Sequence, residues 1–464
     1  MGRTRRLLAA LLLLLPAAAA AEPLRLEAVL DSARQHTPQV LEALMRVRAA
    51  QGRRLEALGA FDTVFSASGD VRPTGFYDGG FLETRVEQPF ADRGGFLYGG
   101  YRISGGSFPA YEGDRLTSQA GELKVGAVFA LMRDRYIDDR RFAVIQADAE
   151  IALAETEALL VAIGIQRRAL DAYLAWVAAG LRRQLFADLL ALARNQQSAF
   201  ERQVARGLRP EILLAENEQA IFRRETLLVQ AEQQLQVAAQ RLSLFWRDQA
   251  GEPLVPGPEQ LPDALPALRA VEANLEAALA RRPDLKDIDI RIAQAREQIA
   301  LDRNLRRPRL DLRIEGSRDF GPLGQGGPAL EGTETRVGLT FSLPLQQRTA
   351  DGRIARTQAE ILAFELRRRQ IEEQIQVELG NLSTDLRAAR QVVELARLES
   401  DRADRLAAGE RRRFQLGASD LFLVTVREEQ AADARVREID AAVREVTARA
   451  DIAAATVDLE TLGL

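Results

Sequence analysis

Arg309-Leu310-Asp311-Leu312-Arg313-Ile314-Glu315 and Arg336-Val337-Gly338-Leu339-Thr340-Phe341-Ser342-Leu343 alternate apolar side chains with polar or charged ones. A period of two sends successive side chains to opposite faces, so both stretches are strands with one apolar and one polar face. The Gly/Pro-rich residues 321–332 between them read as a hairpin connection. On either side the texture changes. Between Asp139 and Arg202 there is no proline, and Leu159, Ile163, Leu170, Leu174, Val177, Leu181, Leu185, Leu189 and Leu192 recur in steps of three, four or seven. That is one apolar stripe on a very long helix. At 1.5 Å per residue, ~60 residues span roughly 90 Å, and a helix of that length needs neighbours along all of it. Similar stretches occupy residues 211–248, 353–406 and 420–459, with further helices over 27–58 and 275–304. Coiled-coil packing is the expected way to bury such narrow stripes.

The same order is written twice. Leu30, Ala33, Pro38, Val40 and Val47 return as Leu275, Ala278, Pro283, Leu285 and Ile292, an offset of 245. Leu123, Val125, Gly126 and Leu131 correspond to Thr335, Val337, Gly338 and Leu343 at an offset of 212, which marks an interruption of 33 residues in the first copy only. Val204, Gly207 and Leu213 correspond to Phe414, Gly417 and Leu423 at an offset of 210. Ordered anchors of this kind imply duplication. In the first copy, residues 61–69 and 121–131 take the strand positions. The extra residues lie within 72–117 and contain two strand-like runs, 82–90 and 96–103; the sequence leaves open whether they add strands or form a loop. Half of all the aromatic residues fall between Phe61 and Tyr136, which suits the aromatic girdles of a lipid-facing barrel. Pro253, Pro256, Pro258, Pro262 and Pro266 mark a non-helical crossing between the copies. The expected domains are a signal peptide at 1–21, a first repeat at 22–250, a Pro-rich inter-repeat segment at 251–272 and a second repeat at 273–464.

The N-terminus carries Arg3, Arg5 and Arg6, an apolar run and a string of alanines. This pattern reads as a secretory signal cleaved after Ala21. There is no cysteine, hence no disulfide and no thiol chemistry, and the single histidine, His36, is assigned no role. The formal charge is −4, or about −7 without the three N-terminal arginines. It is spread without a basic stripe, which argues against nucleic acid as a partner. Beyond the signal no run of 18 apolar residues remains, so spanning helices are excluded while a β-barrel is not. Four strands per chain are too few to close a barrel, since single-chain barrels begin at eight. Several chains must contribute, and the product is an oligomeric duct. Nothing in the sequence pairs a nucleophile with a base, clusters metal ligands or cradles phosphate, so no catalytic residue, cofactor or metal is expected and the chain is not read as an enzyme.

The chain resembles the outer membrane efflux protein (TolC) family. The resemblance rests on Leu26-Glu27-Ala28-Val29-Leu30 with Ala33 and Pro38, Arg282-Pro283-Asp284-Leu285, Pro308, Leu343-Pro344-Leu345 and Phe414-Gln415-Leu416-Gly417, and covers essentially the whole mature sequence. It implies a mixed α and β membrane protein with a duplicated helix-strand-strand-helix repeat. Three copies would form a 12-stranded transmembrane β-barrel continued by an α-helical barrel, a long coiled-coil tunnel in the periplasm. It further implies an outer-membrane channel serving a tripartite efflux pump or a type I secretion system. The implied partners are the homotrimer's other copies, outer-membrane lipid, a periplasmic adaptor (membrane fusion protein) and an inner-membrane transporter. The resemblance places an adaptor-docking tip at Val204, Gly207, Leu208, Phe414, Gly417 and Ser419. Aperture candidates are Glu211, Asp420, Leu423 and Val426, with Leu423 and Val426 standing where acids would be expected, which predicts a partly hydrophobic constriction. Asp420 reads equally as a helix N-cap. The rival class is a soluble periplasmic coiled-coil adaptor or structural protein; the duplicated order of elements argues against it.

Overall fold

The computed structural model of the chain describes residues 22–322 and 332–464. The expected signal segment, residues 1–21, and most of the 321–332 connection lie outside them. In chain order the elements are α1 (Leu26–His36), α2 (Pro38–Leu58), β1 (Val64–Val71), β2 (Gly80–Pro89), β3 (Gly95–Gly105), β4 (Glu122–Ala130), α3 (Asp139–Val204), α4 (Ile212–Leu242), α5 (Leu275–Arg281), α6 (Pro283–Leu305), β5 (Arg309–Asp319), β6 (Thr333–Ser342), α7 (Arg348–Gln415) and α8 (Leu421–Ala455). The helices expected at 27–58 and 275–304 are each divided in two. The breaks fall at Thr37 and Arg282, whose backbones are extended with ψ 124° and 123°. Each precedes a proline, whose ring disfavours helical geometry in the residue before it, while the proline itself is well placed to start the next helix. Both copies thus carry the same joint for the same reason.

The described residues form two compact units. One comprises residues 22–40, 162–274 and 378–464 and is helical. Its fully buried side chains include Val29, Ile165, Leu170, Leu174, Trp176, Leu242 and Ile452. Each removes apolar area from water worth about 1.5–3 kcal/mol. Polar ties fix their order: Gln166 donates to the Leu30 carbonyl at 2.9 Å, and Ser32 Oγ both donates to the Arg247 carbonyl and accepts from its N–H. Tyr173 donates to the Leu24 carbonyl at 2.8 Å, and burial pushes its phenol up to about 12. The Pro-rich crossing segment is strapped down along its course. Leu24 N–H donates to Gln260, Arg449 donates to the Leu268 carbonyl, and Val271 and Ala273 pack on buried Leu386, Ala448 and Ile452. Leu261 lies so close to α3 that a Cβ on Gly180 would stand 2.5 Å from its Cδ2. Glycine there is a packing requirement.

The second unit comprises residues 41–161 and 275–377. Its helices pair through exposed ions, α2 with α3 by Arg46–Glu157, Arg53–Glu150 and Arg54–Asp148, and α6 with α7 by Arg368–Asp289. All the strands lie in this unit, in one fully antiparallel sheet of order β1-β2-β3-β4-β5-β6. Among the described residues there are therefore six strands, where the sequence reading had four and left open whether residues 72–117 add more. The twelve-stranded barrel of a trimer was what the family resemblance implied, at four strands per chain. The duplicated pairs are β1 with β4 and β5 with β6; β2 and β3 fill the interruption in the first copy and extend the sheet.

Candidate functional site

Two regions carry the features a duct would need, one in each unit. In the helical unit, α3 meets α4 and α7 meets α8 through short turns. Gly207 and Gly417 adopt φ of 70° and 77°, a region open to glycine without steric cost. In each turn the glycine N–H donates to a carbonyl three residues back, Val204 or Phe414, and the next N–H donates to one five residues back, Gln203 or Arg413. These are paired Schellman closures, which satisfy the last helical carbonyls. The offset of 210 is thus an exact structural equivalence of the two turns.

The turns are pinned to each other by an apolar cluster drawn from all four helices: Phe200, Leu213, Phe414, Leu421 and Val424. The Phe200 and Phe414 rings meet edge to face at 5.8 Å. Arg209 lies 5.0 Å over the Phe414 ring, and Arg413 bridges Glu410 and the Ala418 carbonyl. Ser419 donates to Glu410. Asp420 is the N-cap of α8, its carboxylate accepting from Leu423 N–H at 2.7 Å. Glu211, the residue directly before α4, makes no cap bond and is exposed, and Pro210 stands where the offset places Asp420. Leu423 and Val426 are half-buried on α8.

Of the tip residues expected from sequence, Phe414 is buried, Val204 half-buried and Leu208 exposed. Leu416, within the motif quoted from the sequence, is exposed as well, and the sequence reading missed the exposed Ile212 and Phe422 nearby. It also missed a buried ion pair one helical layer in, Arg224–Glu428 at 2.7 Å, with Arg224 donating further to the Leu189 carbonyl. Arg224 is embedded in a run of ordinary charged helix, and nothing in its spacing distinguishes it from its solvated neighbours.

In the second unit the pairing registers sort the sheet into two faces. One carries Phe65, Leu82, Val86, Leu97, Tyr101, Ile103, Leu123, Val125, Ile314, Val337, Leu339 and Phe341. Large apolar side chains stand out in the open here: Val337, Leu339 and Phe341 are 65%, 67% and 63% exposed. The other face carries Glu83, Arg85, Glu87, Arg102, Glu122, Lys124, Arg313, Glu315 and Arg336. Both outer strands, β1 and β6, have a free edge in the single chain. An open sheet with an exposed apolar face and unpaired edges is incomplete.

The sequence model of the outer membrane efflux protein family matches residues 274–456. That match spans the second copy of the repeat, from α5 to α8. No curated protein sequence matches the chain. Among solved structures, the outer membrane protein VceC from Vibrio cholerae is similar at 16% identity and a TM-score of 0.60, over 94% of this chain and 96% of that one. The Campylobacter jejuni CmeC outer membrane channel is similar at 12% identity and 0.61, over 93% and 85%. The Neisseria gonorrhoeae MtrE outer membrane channel is similar at 14% identity and 0.57, over 93% and 88%. The likeness in fold to these channels therefore covers both halves of the chain. This is the helix-rich fold with a β domain that the sequence led us to expect. Among the described residues no helix is long and apolar enough to cross a membrane, and no group of three or more His, Cys, Asp or Glu is arranged to hold a metal. The first statement does not bear on β-strands.

Proposed function

We propose that the protein is the outer-membrane exit duct of a tripartite efflux pump or type I secretion system, assembled as a homotrimer. The observation that carries this reading is the sheet: its exposed apolar face suits hydrocarbon, its charged face suits an aqueous lumen, and its free edges suit pairing with further copies. Strands of 8 to 11 residues match the length needed to cross a bilayer at a tilt. Closure by β1 of one copy against β6 of the next removes every edge. The helical turns at Gly207 and Gly417, with Leu208, Ile212, Leu416 and Phe422 exposed around them, offer an apolar tip to a periplasmic adaptor. That adaptor would link the duct to an inner-membrane transporter. Asp420, Glu211, Leu423 and Val426 remain the aperture candidates.

The test is extraction of the protein from outer membranes followed by negative-stain imaging. Release only by detergent, with threefold end views, is the expected result; a monomer released without detergent would overturn the proposal in favour of a soluble coiled-coil protein.

A further inference from the structure

The inserted hairpin, β2 with β3, bears all the marks of barrel wall. Its register continues the apolar face without a break: Phe65 pairs Val86, Val86 pairs Gly99, Gly69 pairs Leu82, and Leu82 pairs Ile103. Leu82, Val86, Leu97, Tyr101 and Ile103 are all exposed large hydrophobic residues on that face. The alternate residues Glu83, Arg85, Glu87 and Arg102 fall on the charged face with those of β4, β5 and β6. A plug or an external loop would meet water on both sides and would have no reason to keep this alternation.

The hairpin is also built into its neighbours. Tyr98 of β3 reaches across β4 and donates to Glu315 of β5. Its path requires Gly126, since a Cβ there would stand 2.5 Å from the Tyr98 ring. Arg85 of β2 lies 4.4 Å over the same ring and pairs with Glu87 at 2.9 Å. Arg102 pairs with Glu122 of β4 at 2.7 Å, almost fully buried on the charged side.

We infer that β2 and β3 are wall strands in the assembled duct, so that three chains close a barrel of eighteen strands and give it a wider bore suited to bulky cargo. This rests on the trimeric duct proposed above. Barrel diameter grows nearly in proportion to strand number, so the bore is about 1.5 times that of a twelve-stranded barrel. The added strands bring charges of both signs into the lumen, so the wider passage is aqueous and suits hydrated polar cargo.

The absence of native cysteine allows single nitroxide labels on the full-length protein in lipid nanodiscs, read by oxygen and nickel-chelate accessibility. Val337→Cys and Leu339→Cys are the references for lipid contact. Labels at Leu82→Cys, Val86→Cys and Ile103→Cys are expected to match the references in favouring oxygen; Glu83→Cys and Arg85→Cys are expected to favour the nickel chelate. If the hairpin labels favour the chelate or see neither probe while the references stay in lipid, the eighteen-stranded wall is overturned and the duct stands. If the references also favour the chelate, both readings fall. A second measurement removes the 33 interrupting residues, after which β1 and β4 still run antiparallel and can pair. The barrel cross-section imaged end-on is expected to shrink to about two-thirds of its diameter; an unchanged diameter overturns the inference.

Discussion

Arg224 and Glu428 face each other with 2% of each side chain exposed, and Arg411 adds a second cation 3.7 Å from Glu428. Removing one member of so dry a pair strands the other charge. Arg224→Met or Glu428→Leu alone is expected to destabilise the protein by about 3–5 kcal/mol, whereas the double replacement approaches neutrality. Thermal denaturation of the four members of the cycle checks this. Asp420 allows a cleaner separation of roles. Asparagine caps a helix as well as aspartate does, while alanine costs about 1 kcal/mol. Asp420→Asn should therefore leave the melting temperature unchanged. If the carboxylate lines the aperture, Asp420→Asn also lowers cation selectivity in planar bilayers; unchanged selectivity leaves Asp420 a cap alone.

At the scale of the element, the loop between β3 and β4 stands out because it turns back over the charged face of the sheet. Arg102 donates to the Asp114 carbonyl, Arg115 sits 4.9 Å over the Phe81 ring, and Ser104 and Thr117 exchange backbone-to-hydroxyl bonds. In the duct proposed above this loop would narrow the mouth, and deletion of residues 108–116 should raise single-channel conductance while preserving trimer yield. Most of these elements were legible in the sequence: the long stripes of α3 and α7, the alternation in β5 and β6, and the glycines of the two turns all carry strong local periodicity or a special backbone angle. The inserted strands were visible as apolar runs, but glycine pairs and short length made strand and loop equally compatible; only the cross-strand register decides. The Thr37–Pro38 and Arg282–Pro283 joints were present as prolines but read as helix interior because apolar spacing continues across them. At the tip, the turn residues and Phe414 were named from the sequence, while the partners they meet in space were not. Gly207 announces its role by type, whereas Arg209 over Phe414 and Arg224 beside Glu428 depend on helices brought together from distant parts of the chain.

At the scale of the whole molecule, the apolar face of the sheet predicts a sharp asymmetry between adjacent residues. Leu339→Arg would place a charge in hydrocarbon at a cost of about 2–4 kcal/mol near the bilayer midplane, while Thr340→Arg, one residue on, meets the aqueous side. Membrane-inserted trimer recovered from cells should fall for Leu339→Arg and stay near normal for Thr340→Arg; the reverse asymmetry would place the barrel faces the other way round, and equal losses would remove the barrel altogether. The two Schellman turns reach further still. They share one backbone shape, yet Leu208-Arg209-Pro210 follows the first glycine and Ala418-Ser419-Asp420 follows the second. The threefold assembly proposed above would then display six alternating turns of two chemical kinds, one with Arg209 and the other with Asp420. A ring of identical adaptor subunits docked there could not treat all six alike: it would either tolerate both kinds or occupy only every other one, so the divergence between the two halves of this chain would set the stoichiometry of the proposed machine.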